Sequence, residues 1–181
     1  MITKNTLLKE IIKLGEPCKK CGHCCQYGSG VLADDDLEKI AKFLRIDKEE
    51  LKKEYMEEIE KFNIKKLRPK LIRKDMPYGR CVFFEKEAGC KIHEVKPLQC
   101  KINNCSDVGE ELTLWFMLNY FVNKNDPESI RQFATYLKTG GKTLPGGELK
   151  DFIADEKRLK KILDYDDMKI EYFQSSEKKD V

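Results

Sequence analysis

Apolar residues recur at three- and four-residue spacing along most of the chain, which predicts a mainly helical protein. Leu7, Leu8, Ile11, Ile12 and Leu14 form the first such face, and Gly15 and Pro17 are placed to end that helix. A second helix is expected to start at residues 34–36, with Leu37, Ile40, Ala41 and Leu44 on one side. Asp47 and Glu50 are spaced as a capping box for a third, whose face runs through Leu51, Tyr55, Met56 and Ile59 to Phe62. Asp107 and Glu110 offer another box, opening an apolar helix through Val122 that contains Trp115 and Phe116. Asp126 and Pro127 read as an N-cap followed by a first-turn proline, with Ile130, Phe133, Ala134 and Leu137 facing inward and Gly140 or Gly141 at the end. A last helix is expected over residues 148–163, with Leu149, Phe152, Ile153, Leu159, Ile162 and Leu163 as its core face.

Between residues 61 and 106 the helical period fails. "KLIRK" and "RCVFFEK" suit short strands, Val31 and Leu32 suit another, and Pro97 breaks "CKIHEVKPLQC". "MKIEYF" reads as a final strand and "SSEKKDV" as a polar tail. The fold class is therefore small α+β: mainly α with short irregular or β segments, the helices arranged around a cysteine-ligated metal centre. One domain over residues 1–181 is expected, with a cysteine-bearing metal-binding region at 16–106 and a helical extension at 107–173.

Composition narrows the setting. The longest apolar run, "LTLWFMLNYFV", is too short to span a bilayer and carries Asn119. The first sixteen residues have no apolar centre or cleavage site of a signal peptide. A cytoplasmic location without membrane contact is expected. Net charge is only +3, but its distribution is uneven. Residues 34–60 hold 11 acids against 6 bases, and residues 61–80 hold 8 bases against one acid. That basic segment, with Lys65, Lys66, Arg68, Lys70, Arg73, Lys74 and Arg80, has few interleaved aromatics for base stacking, so nucleic acid is not the expected partner.

The chemistry lies in eight cysteines. "CKKCGHCC" carries Cys18, Cys21, Cys24 and Cys25 as C-x2-C-x2-C-C; Cys81, Cys90, Cys100 and Cys105 follow at spacings of C-x8-C-x9-C-x4-C. Disulfides suit small secreted scaffolds rather than this composition. Eight copies beside Lys, Gly and His do not resemble buried core thiols. A C-x2-C turn can aim two thiolates at one soft metal and aim backbone amides at their sulfurs. Lys19 and Lys20 favour thiolate over thiol, and Gly22 permits the tight path. All eight are candidate ligands. C-x2-C-x2-C is shared with bacterial ferredoxin clusters, whereas C-x2-C-G suits a zinc knuckle that lacks its second C-x2-C here. An iron–sulfur cluster, 4Fe–4S, is favoured and zinc is the alternative. His23 and His93 lie inside these segments as polar loop residues, donors to sulfur, or ligands.

"CKKCGHCC", followed by a helix and then "CVFFEKEAGCKIHEVKPLQC", resembles the CxxCxxCC cysteine-cluster proteins, described as zinc- or iron-chelating. Cys81-Val-Phe-Phe, Cys90-Lys-Ile-His and the segment from Lys96 to Cys100 occupy the family's places, with His93 where Tyr is usual and Lys96 where Arg is usual. Cys105 stands as an addition. The resemblance implies chelation through Cys18, Cys21, Cys24, Cys25, Cys81, Cys90 and Cys100, and little about any reaction. A metal-binding protein with a redox or accessory role, serving a protein redox partner or complex, is expected. The alternative is a group-transfer enzyme, methyltransferase-like, with a supporting cluster. No dinucleotide glycine motif is present, and "GGKT" has Tyr136 where a P-loop needs its first glycine.

Overall fold

The computed structural model describes residues 1–16, 18–103 and 105–166. Its helices are α1 (Leu8–Gly15), α2 (His23–Tyr27), α3 (Asp36–Leu44), α4 (Lys48–Tyr55), α5 (Leu98–Ile102), α6 (Gly109–Tyr120), α7 (Pro127–Lys138), α8 (Leu149–Phe152) and α9 (Glu156–Leu163). Between α4 and α5 lie β1 (Met56–Lys61), β2 (Ile64–Pro69), β3 (Leu71–Ile72), β4 (Arg80–Cys81), β5 (Phe84–Glu85) and β6 (Gly89–Cys90), then a 3-10 turn at His93–Val95. The strands form three antiparallel pairs, β1–β2, β3–β4 and β5–β6. The small, mainly helical α+β class is as expected. "MKIEYF" and the polar tail lie outside the described residues.

The element with the largest departure is β1. Residues 56–62 carry the apolar spacing of a helix, yet the chain leaves α4 after Tyr55 and pairs with β2, Glu57 opposite Arg68 and Glu60 opposite Lys65. Cross-strand charge pairing of the acidic stretch with the basic one overrides local helix propensity. Arg68 and Arg73 both hold the Glu57 carboxylate, at 2.8 and 2.7 Å, and Lys66 lies 3.5 Å from Asp34. Among the described residues, four of the eight bases of residues 61–80, Lys65, Lys66, Arg68 and Arg73, thus have an acidic partner within the fold. Phe62 and Asn63 make the two-residue turn with φ of 49° and 60°. A left-handed Phe costs about 1–2 kcal/mol. Burying its ring against Phe133 and Tyr136, with centroids 5.3 and 5.4 Å away, offsets that.

Other boundaries shift for identifiable reasons. The helix expected over 148–163 breaks at Ile153, and Asp155 caps α9 by accepting from the Lys157 and Arg158 amides. Val108, not Asp107, is the N-cap of α6, without a side-chain cap. Asp47 and Asp126 cap α4 and α7 as expected. Val31 and Leu32 are buried but form no strand; Leu32 donates one backbone bond to Leu67. Gly15 is needed for a different purpose than ending α1: a Cβ there would lie 2.5 Å from the Ile102 Cα, because α5 crosses α1 at that point.

Two apolar clusters result. The larger unites Ile2 and Ile11 with Leu98, Ile102 and the inner faces of α6 to α9. The smaller joins Leu32, Ile40, Ala41, Leu51 and Met56 to Cys81, Phe83, Phe84 and Ile92. The cysteine-bearing segments pack on the smaller cluster and reach the larger one through α5.

Candidate metal centre

The first cysteine segment turns sharply. Lys20 and Gly22 both take left-handed backbone, with φ of 53° and 73°, and Gly22 ends against the Phe84 ring, 2.5 Å from where a Cβ would stand. This conformation and close approach agree with the expectation that Gly22 permits the tight path of the loop. The turn delivers Cys24 and Cys25 on α2, which packs on β4 beside Cys81. The Cys24 and Cys25 sulfurs are 3.9 Å apart. Two thiolates on one tetrahedral ion, with bonds of about 2.3 Å, would be about 3.8 Å apart. That edge therefore fits thiolate chelation.

The hydrogen bond between the two sulfurs lowers Cys24 to about 6, against the opposing effect of burial. The same bond, and then burial, raises Cys25. Lys96, half-buried, adds a favourable charge to the Cys24 and Cys90 thiolates. Its role was not apparent from sequence, where Lys19 and Lys20 are the nearer cations.

Cys81 and Cys90 come from β4 and β6. Burial pushes Cys81 up to about 11, while the Phe83 N–H donates to its sulfur. Cys90 is likewise raised by burial, and the Ile92 N–H donates to it. Each cysteine thus receives the amide two residues on, the turn geometry that disperses thiolate charge. Cys100 lies on α5. Desolvation raises it to about 12, countered by the Gly30 N–H. Gly30 is a close approach: a Cβ there would run into the Cys100 sulfur and stand 2.7 Å from the Cys100 amide nitrogen.

Buried Asp36 sets the position of α5, and the sequence reading had it only as a helix start. Its Oδ2 accepts from Ala33 N at 2.8 Å and from Leu98 N at 2.7 Å. Gln99 Oε1 accepts from Val31 N at 2.7 Å. These bonds clamp the 30–33 strap onto the start of α5 and hold Cys100 inward. A buried carboxylate that ties the neighbouring Ala33 amide to that of Leu98, 62 residues from Asp36, leaves no periodic signal, so pattern reading does not find it.

The thiols that act electrostatically on one another are Cys18, Cys24, Cys25, Cys81, Cys90 and Cys100. Cys21 and Cys105 are exposed and, among the described residues, interact with no other thiol. All eight cysteines are free. Among the described residues, no three His, Cys, Asp or Glu side chains stand as a ready-made site for one ion. His23 is exposed, its ring 5.2 Å from Tyr27. The His93 Nε2 is buried and has no hydrogen-bond partner. Burial, Lys96 and Lys20 lower its proton affinity, which keeps the ring neutral.

Desolvated thiols held protonated at neutral pH, with amide donors aimed at their sulfurs, are groups that gain charge when a cation replaces their protons. The model of the CxxCxxCC family, described as a "Putative zinc- or iron-chelating domain", matches residues 17–132, well over half of the chain. The chain belongs to the CxxCxxCC family. The match extends past the cysteines through α6 into α7, further than the motif resemblance from Cys18 to Cys105. No curated protein and no solved structure matches the chain. Among the described residues, no helix is long and apolar enough to cross a membrane.

Proposed function

We propose that this CxxCxxCC chain holds an iron–sulfur cluster, 4Fe–4S being favoured, and serves a redox or accessory role with a protein partner in the cytoplasm. The spread of the thiols supports that choice over zinc. A tetrahedral zinc ion and a 4Fe–4S cluster each take four thiolates, and Cys18, Cys24, Cys25, Cys81, Cys90 and Cys100 offer them from the 18–25 segment, β4, β6 and α5. A cluster spreads its ligands over several irons, so it does not require three thiols to meet at a single point. Cys21 and Cys105 complete the set of eight candidates and stand at its exposed edge.

An iron–sulfur cluster, when bound, exchanges single electrons. The chain's own residues prepare the surroundings. The Phe83, Ile92 and Gly30 amides spread sulfur charge, and Lys96 offsets part of it. The Gln99 and Asp36 bonds fix α5, and Phe83, Phe84 and Ile92 provide an apolar wall. The whole described chain is taken as one unit, since the helices after residue 107 share their core with α1.

Iron, zinc and acid-labile sulfide should be quantified, with a visible spectrum, on protein purified without oxygen. Iron and sulfide in brown protein that bleaches reversibly on reduction are expected. Colourless protein with stoichiometric zinc would overturn the cluster assignment.

A further inference from the structure

A cavity of about 310 Å³, with no cysteine in its lining, lies in the seam between the β1–β2 hairpin and helices α6 and α7. Its floor is apolar, built from Ile59, Leu114, Phe116, Met117 and Phe121. Its polar lining is rich in donors. Lys61 crosses one side, its ammonium 5.1 Å from the Phe62 ring and 5.3 Å from the Tyr136 ring. Among the described residues it has no acidic partner. Arg68 lines the cavity from β2, where it stands against Glu57; its Nε holds Glu57 at 2.8 Å, but Glu57 is shared with Arg73, and neither terminal nitrogen of Arg68 has an acceptor among the described residues. Gln99 spends its side-chain carbonyl oxygen on Val31, and its amide nitrogen has no acceptor among the described residues. No Asp or Glu is among the residues that line the space.

An apolar floor under two cations with uncommitted donors is complementary to one class of molecule. We propose that this cavity binds a small organic carboxylate with an apolar body, of about ten non-hydrogen atoms given the volume. The carboxylate meets Lys61 and the Arg68 guanidinium, and the hydrocarbon or ring lies on Leu114, Met117 and Phe121. Charge-assisted bonds select the acid over its neutral analogues, because a neutral carbonyl offers the two cations an acceptor without the opposing charge. The site shares its wall with the metal region, since Gln99 precedes Cys100 and Ser29 precedes Gly30, but binding here does not depend on which metal the thiols hold.

The test is an NMR titration of the full-length, metal-loaded chain with 3-phenylpropionate and, separately, with its neutral amide. For a ligand of this size a dissociation constant of roughly 0.1–1 mM is expected, with shifts confined to the cavity's wall. The amide should bind at least about tenfold more weakly. Lys61→Gln, at an exposed position that the core does not need, should weaken the acid by about tenfold. Leu114→Trp should fill the space and abolish binding, with circular dichroism confirming the fold. Equal binding of acid and amide, an unchanged affinity in Lys61→Gln, or shifts located elsewhere would each overturn the proposal.

Discussion

At Gly22 the backbone lies at φ 73°, and the Phe84 ring occupies the place of a side chain. Gly22→Ala therefore meets both a conformational and a steric penalty, and should lose at least about 2 kcal/mol in denaturant unfolding along with bound metal. Gly30 and Cys100 show the same logic from the other side, since absence of a Cβ lets an amide reach the sulfur. Cys100→Ser should lose most of the metal, and Cys105→Ser should keep it; metal analysis of the two variants in parallel checks this. Retention by Cys100→Ser would remove α5 from the centre. That the cysteines formed a metal-type set was legible from their spacing and from the residues around them. Which thiols approach one another was not, because Cys21 and Cys24 are equal in the motif, and only the fold puts Cys24 on α2 with its sulfur beside Cys25 while Cys21 stays in the exposed turn before it.

At the element level the β1–β2 hairpin decides how the middle of the chain folds, and Glu57 is its electrostatic anchor. Hydrogen bonds from Arg73, then from Arg68, hold its carboxyl at about 2, well below the usual 4.5. A carboxyl lowered in the folded state contributes stability above its unfolded value and loses it as pH falls toward the folded one. Glu57→Gln should thus cost roughly 1–2 kcal/mol at pH 7, a figure reduced for partial solvent exposure. The difference from the parent should shrink between pH 4.5 and about 2. Urea unfolding across that range checks the sign; a gap that widens in acid would refute the anchor. The starts of α4 and α7 were legible because Asp47 and Asp126 act within one turn. The strand at 56–61 was not, because its partner lies across a turn and its local pattern suits a helix equally well.

For the whole molecule, the candidate ligands come from the α1–α2 connection, α2, the small strand pairs and α5, spanning residues 18 to 100. A metal group bound to all of them exists only in the folded state and so adds its binding free energy to folding. At a thousandfold saturation that is about 4 kcal/mol, or roughly 10 °C in Tm for a chain of this size. Stripping the metal with a strong chelator under anaerobic conditions should lower Tm by about that amount, read by calorimetry; an unchanged Tm would mean that the thiols do not hold the fold together. The sequence by itself determined the helical class, the caps at Asp47 and Asp126 and the thiol chemistry, since each rests on residues close in the chain: a period, a turn or a C-x2-C spacing. The tertiary structure decided which thiols become neighbours, that Asp36 and Lys96 serve them, that acids and bases cancel across β1 and β2, and that a cationic cavity opens beside α6. Those features join groups tens of residues apart, and their energy arises only when packing removes water from between them.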